Sequence, residues 1–271
     1  MKIVGAVVLY NPNFEEVVAN IKSYLDFLDC LFVFDNSDHV ILNRNNLECV
    51  SSKIVYHSKS ENMGVAYALN YVCNIAKNMG YSWILTMDQD SSFKQDDFYR
   101  YLTHVNNRLT EDVALFSPFF QGELKNQPQY YTSGSIINLN AWHDVGKFDD
   151  NLFIDEVDGD FTFRLSFFNY ILIKINEVEI THNLGEKISR RILGKLWCSD
   201  NHTPIRKYYI ARNRIYLMKK RPSMRRIYLV DSFKKFITLL ILENDRIMKV
   251  KMVLRGVMDG LRNKMGKYNS F

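Results

Sequence analysis

From Lys2 to Asp90 the chain alternates short apolar runs with segments of helical spacing, and every apolar run stops at a polar cluster. Lys2 to Leu9 (KIVGAVVL) ends at Tyr10-Asn11-Pro12, where the residue before proline is pushed out of the helical region, so it predicts a buried strand and a turn. Asn13 is placed to cap a helix in which Val17, Ile21, Tyr24, Leu25 and Leu28 recur at helical spacing. Cys30 to Phe34 predicts a second strand that stops at Asp35-Asn36-Ser37-Asp38. Lys53 to His57 predicts a third, followed by Asn62-Met63-Gly64 and a helix through Ala66, Leu69, Val72, Cys73 and Ala76 that Gly80 closes. Trp83 to Met87 predicts a fourth, ending at Asp88-Gln89-Asp90.

Strands alternating with helices predict an α/β fold with a mostly parallel sheet and helices on both faces. Such sheets bind ligands outside the carboxyl ends of their strands. The four polar clusters fall there, so Asn11, Asp35 with Asn36, Asn62 with Gly64, and Asp88 with Asp90 should converge on one crevice.

Charge divides the chain. Met1 to Gly185 holds 13 Lys+Arg against 24 Asp+Glu, and Glu186 to Phe271 holds 22 against 6, nets of −11 and +16. The acidic part suits metal or substrate chemistry, and the basic part suits an anionic partner such as a lipid headgroup, a phosphorylated substrate or nucleic acid. The four cysteines are widely spaced without a C-x-x-C pair, so a reducing cytoplasm is the expected compartment and neither a disulfide framework nor a zinc site is expected. No apolar stretch approaches the roughly 18 to 20 residues of a membrane span.

Further along, Val113 to Ser117 predicts a strand, Gln121 to Gln129 a polar loop, and Tyr130 to Leu139 a strand with a Ser-Gly-Ser kink. Asp158 to Asn169 has helical spacing, and Ile171 to Ile175 reads as a strand. Arg206 to Lys220 reads as a helix and Pro222 as a break. Two amphipathic helices follow, the first through Ile227, Val230, Phe233, Ile237, Leu240 and Ile241 and the second through Ile247, Val250, Leu254, Val257, Met258 and Leu261. The expected division is a catalytic domain over 1–205 and a helical region over 206–271.

Asp88 and Asp90 after a buried strand can present hard oxygen ligands to Mg²⁺ or Mn²⁺. The same pattern recurs at Asp158-Gly159-Asp160, and a solvated turn with capping aspartates is the bland alternative. The stretch Asp155-Glu156-Val157-Asp158-Gly159-Asp160 crowds four carboxylates before a helix, which suits cation binding or proton abstraction better than capping alone. His182 follows this acidic segment and fits a metal or diphosphate contact, although a lone histidine is more often structural. Tyr209, Arg212 and Asn213 fall near one helix face, where Arg212 either clamps phosphate or belongs to a solvated basic helix.

Taken in order, LYNP, FDNSD, ENMGVAYALN, LTMDQDS, the segment from Ser133 through Arg164, THNLG and RKYYIARN resemble family 2 inverting glycosyltransferases of the GT-A fold, and among them the bacterial rhamnosyltransferase branch. The resemblance runs over nearly the whole chain and departs from the usual wording at Gly159-Asp160. It implies that Tyr10 and Asn11 line the nucleoside pocket, Asp35 and Asn36 hold the base or ribose, and Asn62 and Gly64 shape the diphosphate side. It further implies that Asp90 coordinates Mg²⁺ or Mn²⁺, with Asp88 on ribose or metal, His182 as a further ligand and Arg212 on the diphosphate. Asp158 would be the general base, with Asp155 the next candidate. The implied reaction moves L-rhamnose from dTDP-β-L-rhamnose to a saccharide or polyprenyl-diphosphate-linked acceptor with inversion, in bacterial surface polysaccharide synthesis. UDP-hexose and UDP-galactofuranose are the alternative donors. The basic helices would then meet an anionic membrane surface at the inner face, or pack on the catalytic domain or a second subunit.

Other classes fit less well. A nucleotidyltransferase would carry a Gly-rich basic loop that Val4 to Pro12 lacks, and a dinucleotide oxidoreductase would carry G-x-G-x-x-G after the first strand. A nucleic-acid-binding protein would use the basic tail and leave the acidic cluster unexplained.

Overall fold

A computed structural model describes residues 2–39, 44–94, 96–121, 123, 129–182, 188–192 and 194–268. Two compact units are formed, Met1–Asp150 with Val157–Asn183, and Asn151–Glu156 with Leu184–Phe271.

The first unit opens with β1 (Val4–Leu9), α1 (Phe14–Lys22), β2 (Cys30–Asp35), α2 (Arg44–Glu48), β3 (Ile54–Ser58), α3 (Val65–Asn78) and β4 (Trp83–Asp88). Apart from α2, which the spacing does not mark, these reproduce the predicted alternation, including the Asn13 cap, whose side chain accepts from the Glu16 N–H at 3.2 Å. The helix through Val17 ends sooner than its spacing suggests, at Lys22, and Leu25–Phe27 form a separate 3₁₀ turn. Then come β5 (Ser91–Phe93), α4 (Asp97–Asn106), β6 (Val113–Phe120), β7 (Ser135–Asn138), α5 (Leu139–Asp144), α6 (Val157–Phe167) and β8 (Ile171–His182).

Eight strands make one sheet in the order β3-β2-β1-β4-β7-β6-β8-β5. β3, β2, β1 and β4 are mutually parallel, β6 and β8 are parallel, and β7 and β5 run antiparallel to their neighbours. The parallel block is apolar on both faces, as the uninterrupted run in β1 requires: Val4, Ala6, Val7 and Leu9 are all fully buried. Because these strands run the same way, their carboxyl ends share one edge of the sheet.

Three strands differ from expectation, and one of them, β6, simply runs on from Ser117 to Phe120. Tyr130–Leu139 yields only the four residues of β7, because the Asn138 side chain accepts from the Asn140 and Ala141 N–H groups and starts a helix at Leu139. The strand expected to stop at Ile175 continues to His182, which places that histidine on the sheet rather than beyond it. Of the expected Gln121–Gln129 loop, residues 122 and 124–128 lie outside the described residues, as do Asn183, Leu184 and Gly185 of the THNLG motif.

In the second unit β9 (Ile188–Ile192) and β10 (Lys195–Ser199) form an antiparallel hairpin, followed by α7 (Pro204–Lys220), α8 (Arg225–Leu242) and α9 (Arg246–Leu261). The hairpin packs on α8, so this unit takes in some twenty residues ahead of the expected 205/206 division. α7 and α9 lie in direct backbone contact: a Cβ on Gly256 would sit 2.4 Å from the Tyr208 carbonyl oxygen, and one on Gly260 2.6 Å from that of Arg212. Glu243 is fully buried between Lys207 and Lys249, with carboxylate oxygens 2.5 and 2.9 Å from the two ammonium groups. Among the described residues no helix is long and apolar enough to cross a membrane.

Candidate active site

The polar clusters at the carboxyl ends of β1 to β4 are tied to one another by hydrogen bonds. The Asn11 N–H, at a residue with φ of 45°, donates to Ser37 Oγ at 2.8 Å. Asn36 donates through Nδ2 to Asn62 Oδ1 at 3.0 Å and accepts the Met63 N–H at 2.8 Å. Asn62 Oδ1 also takes the N–H of Gly64, which precedes α3 at φ of 91°. Asp35 is completely buried; one oxygen accepts the Ser37 N–H at 3.0 Å and the other the Tyr56 hydroxyl at 2.8 Å. Burial, reinforced by this carboxylate, pushes the Tyr56 phenol above its ordinary value. Asp35 and Asn36 therefore brace the strand ends through the bonds they make to the chain itself, while Tyr10 beside them is 48% exposed.

A second group gathers where β4, β5 and β8 meet. Asp88, Asp90 and His182 each offer a ligand atom, and these atoms all lie within 4.8 Å of one another. The pairing of Ser91 with His182 across β5 and β8 sets this geometry. His182 Nδ1 lies 2.7 Å from Ser91 Oγ and 3.3 Å from Asp90 Oδ1. Ser91 Oγ in turn accepts from Ser133 Oγ at 2.8 Å, and Ser133 Oγ accepts the Asp88 N–H at 3.0 Å. The Ser-Gly-Ser kink positions Ser133: Gly134 has φ of +77°, and a Cβ there would lie 2.8 Å from Pro118 Cγ and 2.9 Å from Ile180 Cδ1.

Burial works to lower the His182 basicity, but Asp90, Asp88 and Asp158 outweigh it and raise the imidazole above its usual value. A site that draws a proton this way also favours a cation, and two carboxylates with one imidazole suit Mg²⁺ or Mn²⁺. Asp158, at the start of α6, accepts the Thr132 N–H at 3.1 Å, and its charge is felt at His182.

The acidic stretch is thus sorted by partners. Asp160 pairs with Arg164 at 2.8 Å, Asp155 with Arg206 at 2.6 Å and Glu156 with Arg214 at 2.6 Å. Asp155, the alternative base, is engaged in an ion pair within the second unit.

Arg212 is placed differently from expectation. Its guanidinium is fully buried, donates to the carbonyl oxygens of Leu152 and Gly266 and to Asn213 Oδ1, and lies over the Tyr208 and Tyr209 rings. Asn213 Nδ2 contacts the carbonyls of Leu152, Ile154 and Asp155 at 2.8 to 3.0 Å. The Arg212-Asn213 pair clamps the Asn151–Glu156 segment, and a buried guanidinium wrapped in carbonyl oxygens is not available to a diphosphate.

Gln89, Tyr56, Ser91 and Ser133 escaped the sequence reading. Gln89 had a signal in its place between the two acids, and Ser133 had one in the glycine kink. Nothing in spacing marked Tyr56 as the partner of Asp35.

Residues 7–173 match the model of the family described as Glycosyl transferase family 2. The chain belongs to that family. A curated relative, the dTDP-rhamnosyl transferase RfbF of Shigella flexneri, is 23% identical over 305 residues covering 99% of each chain. Among solved structures, S. aureus TarS 1-349 superposes with a TM-score of 0.51 at 12% identity, covering 96% of this chain and 71% of that one. A longer S. aureus TarS structure gives the same TM-score at 13% identity, with 43% of that chain covered. The fold is that of the GT-A glycosyltransferases, and this family 2 member transfers a sugar from a nucleotide-sugar donor to a saccharide acceptor.

Proposed function

We propose that this glycosyltransferase moves L-rhamnose from dTDP-β-L-rhamnose to a saccharide acceptor on a polyprenyl-diphosphate carrier, with inversion, at the inner face of the cell membrane. The observation that carries the reaction type is the joining of Asp88, Asp90 and His182 with Asp158 in electrostatic reach. The donor assignment rests on the full-length similarity to RfbF.

In this reading Tyr10, Asn11, Asp35, Asn36, Asn62 and Gly64 bound the nucleotide crevice, with the exposed Tyr10 ring as a flat surface for the base. Asp88, Asp90 and His182 would hold Mg²⁺ or Mn²⁺, which supplies positive charge against the diphosphate as it departs. Asp158 takes the proton of the acceptor hydroxyl, a poor nucleophile at neutral pH, as that oxygen bonds to the anomeric carbon. The bond from that carbon to the diphosphate breaks on the opposite face, and dTDP leaves with the electron pair. A single displacement turns the β-linked donor into an α-glycoside, with no covalent sugar-enzyme stage.

The test is nucleoside diphosphate release from dTDP-, UDP- and GDP-sugars in the presence of acceptor, with Mg²⁺ or Mn²⁺ and with EDTA, for wild type, Asp90→Ala and Asp158→Asn. Metal-dependent release from dTDP-rhamnose that both substitutions suppress is the expected result. Release from a UDP-sugar alone would overturn the donor, and activity that survives EDTA and Asp90→Ala would overturn the metal assignment.

A further inference from the structure

The two C-terminal helices turn apolar stripes outward. On α8, Val230, Phe233, Ile237 and Leu240 follow one another at steps of three and four, and Phe233 is 66% exposed. On α9, Ile247, Leu254, Met258 and Leu261 fall on a second stripe, with Ile247 76% exposed. A helix that packs only within a water-soluble unit turns such a stripe inward. Here the inward positions of α8 are Tyr228, Leu239 and Leu242, and those of α9 are the small residues Gly256 and Gly260 together with Lys249 and Asp259.

Charge says what the outward faces fit. The acids within the two helices are paired, Asp231 with Arg214 and Lys235 and Asp259 with Tyr208 and Arg255; between the helices Glu243 is buried against Lys207 and Lys249, and Asp245 alone is exposed among these four acids. Arg226, Lys234, Lys251 and Arg262 are exposed and have no carboxylate partner among the described residues. By helical spacing Arg226 and Lys251 fall within the two stripes. A second copy of the chain would set these cations against their own kind, whereas a phospholipid surface offers phosphates to the cations and an acyl boundary to Phe233, Ile247 and Leu254.

We infer that the outward faces of α8 and α9 seat the protein on an anionic lipid surface. The inference deepens the reading of a lipid-carried acceptor and rests on it for the compartment. Its failure is separable, because vesicle binding is measured without donor or acceptor.

The experiment is flotation of the full chain with vesicles of phosphatidylcholine alone and of phosphatidylcholine with about one third phosphatidylglycerol, at low and high salt. Binding to the anionic vesicles only, weakened by salt, is expected. The double variant Phe233→Gln with Leu254→Gln should weaken it at least about tenfold, and so should Lys234→Glu with Lys251→Glu, with donor affinity by calorimetry unchanged. Absence of wild-type binding to anionic vesicles would overturn the inference, as would equal binding by both double variants. A dimer in sedimentation that Phe233→Gln with Leu254→Gln dissociates, without vesicle binding, would assign the faces to a second copy instead.

Discussion

The side-chain amide of Gln89 pairs with the backbone of Tyr10 in both directions: Oε1 accepts the Tyr10 N–H at 2.7 Å, and Nε2 donates to the Tyr10 carbonyl at 3.2 Å. The Gln89 carbonyl is held in turn by Asn20 Nδ2 at 2.8 Å. The residue between the two acids therefore fixes the turn that carries them against the end of β1.

Removing that tie should loosen Asp88 and Asp90 without touching either. Gln89→Ala is expected to weaken Mn²⁺ affinity and turnover about 10- to 100-fold, the range for residues that orient metal ligands. Gln89→Glu keeps one of the two bonds and should fall between; a Mn²⁺ titration of activity and direct Mn²⁺ binding check both.

Asp158→Asn keeps an oxygen to accept the Thr132 N–H but cannot take a proton. Turnover should drop roughly 10² to 10⁴-fold while donor affinity stays, as expected for loss of a general base. Steady-state rates beside calorimetric donor binding separate the two.

Glu243 predicts how the second unit responds to acid. Burial would raise its carboxyl, but Lys207, Ser199 and Lys249 outweigh this and hold it below the usual glutamate value. A carboxyl depressed in the folded state contributes stability that is present above its unfolded value, about 4.3, and is lost as pH falls through the folded one. Urea midpoints should therefore decline below about pH 5, and Glu243→Ala should cost about 3 to 5 kcal/mol at pH 7, since it leaves two buried ammonium groups without their carboxylate. Profiles of urea midpoint against pH for both proteins test this.

Gly260→Val would force α9 away from the Arg212 carbonyl and the Ile215 side chain. A loss of about 1 to 3 kcal/mol is expected, read as a lower melting temperature, with donor affinity retained at 20 °C.

The alternation from β1 to β4 was legible because fully buried parallel strands must be apolar throughout and their ends must be polar turns, as Asp35-Asn36 and Asp88-Gln89-Asp90 show. His182 was legible as a candidate by chemical type, yet its place depended on β8 running seven residues past Ile175, where the exposed Asn176 and Glu177 interrupt the apolar run before Val178 and Ile180 resume it. Arg212 misled for a physical reason. An arginine on a helix face reads the same whether phosphate or carbonyl oxygens await it, and its carbonyl partners at Leu152 and Gly266 lie more than fifty residues away. The outward stripes of α8 and α9 kept their expected period, but periodicity does not say which side of a helix faces water.

The assignment of Asn151–Glu156 to the second unit, between stretches of the first, has a bearing on how such enzymes diversify. The chain passes between the units at three places, so no single crossover in a gene could exchange the second unit as a cassette while leaving the first intact. A recombinant that swapped only the segment after Asn183 would pair a foreign α7 with the resident Asn151–Glu156 strip, and the partners of Arg206, Arg214 and Asn213 would have to match by chance. Change in this architecture is therefore expected to proceed by point substitution in the strand-end loops rather than by shuffling of whole units.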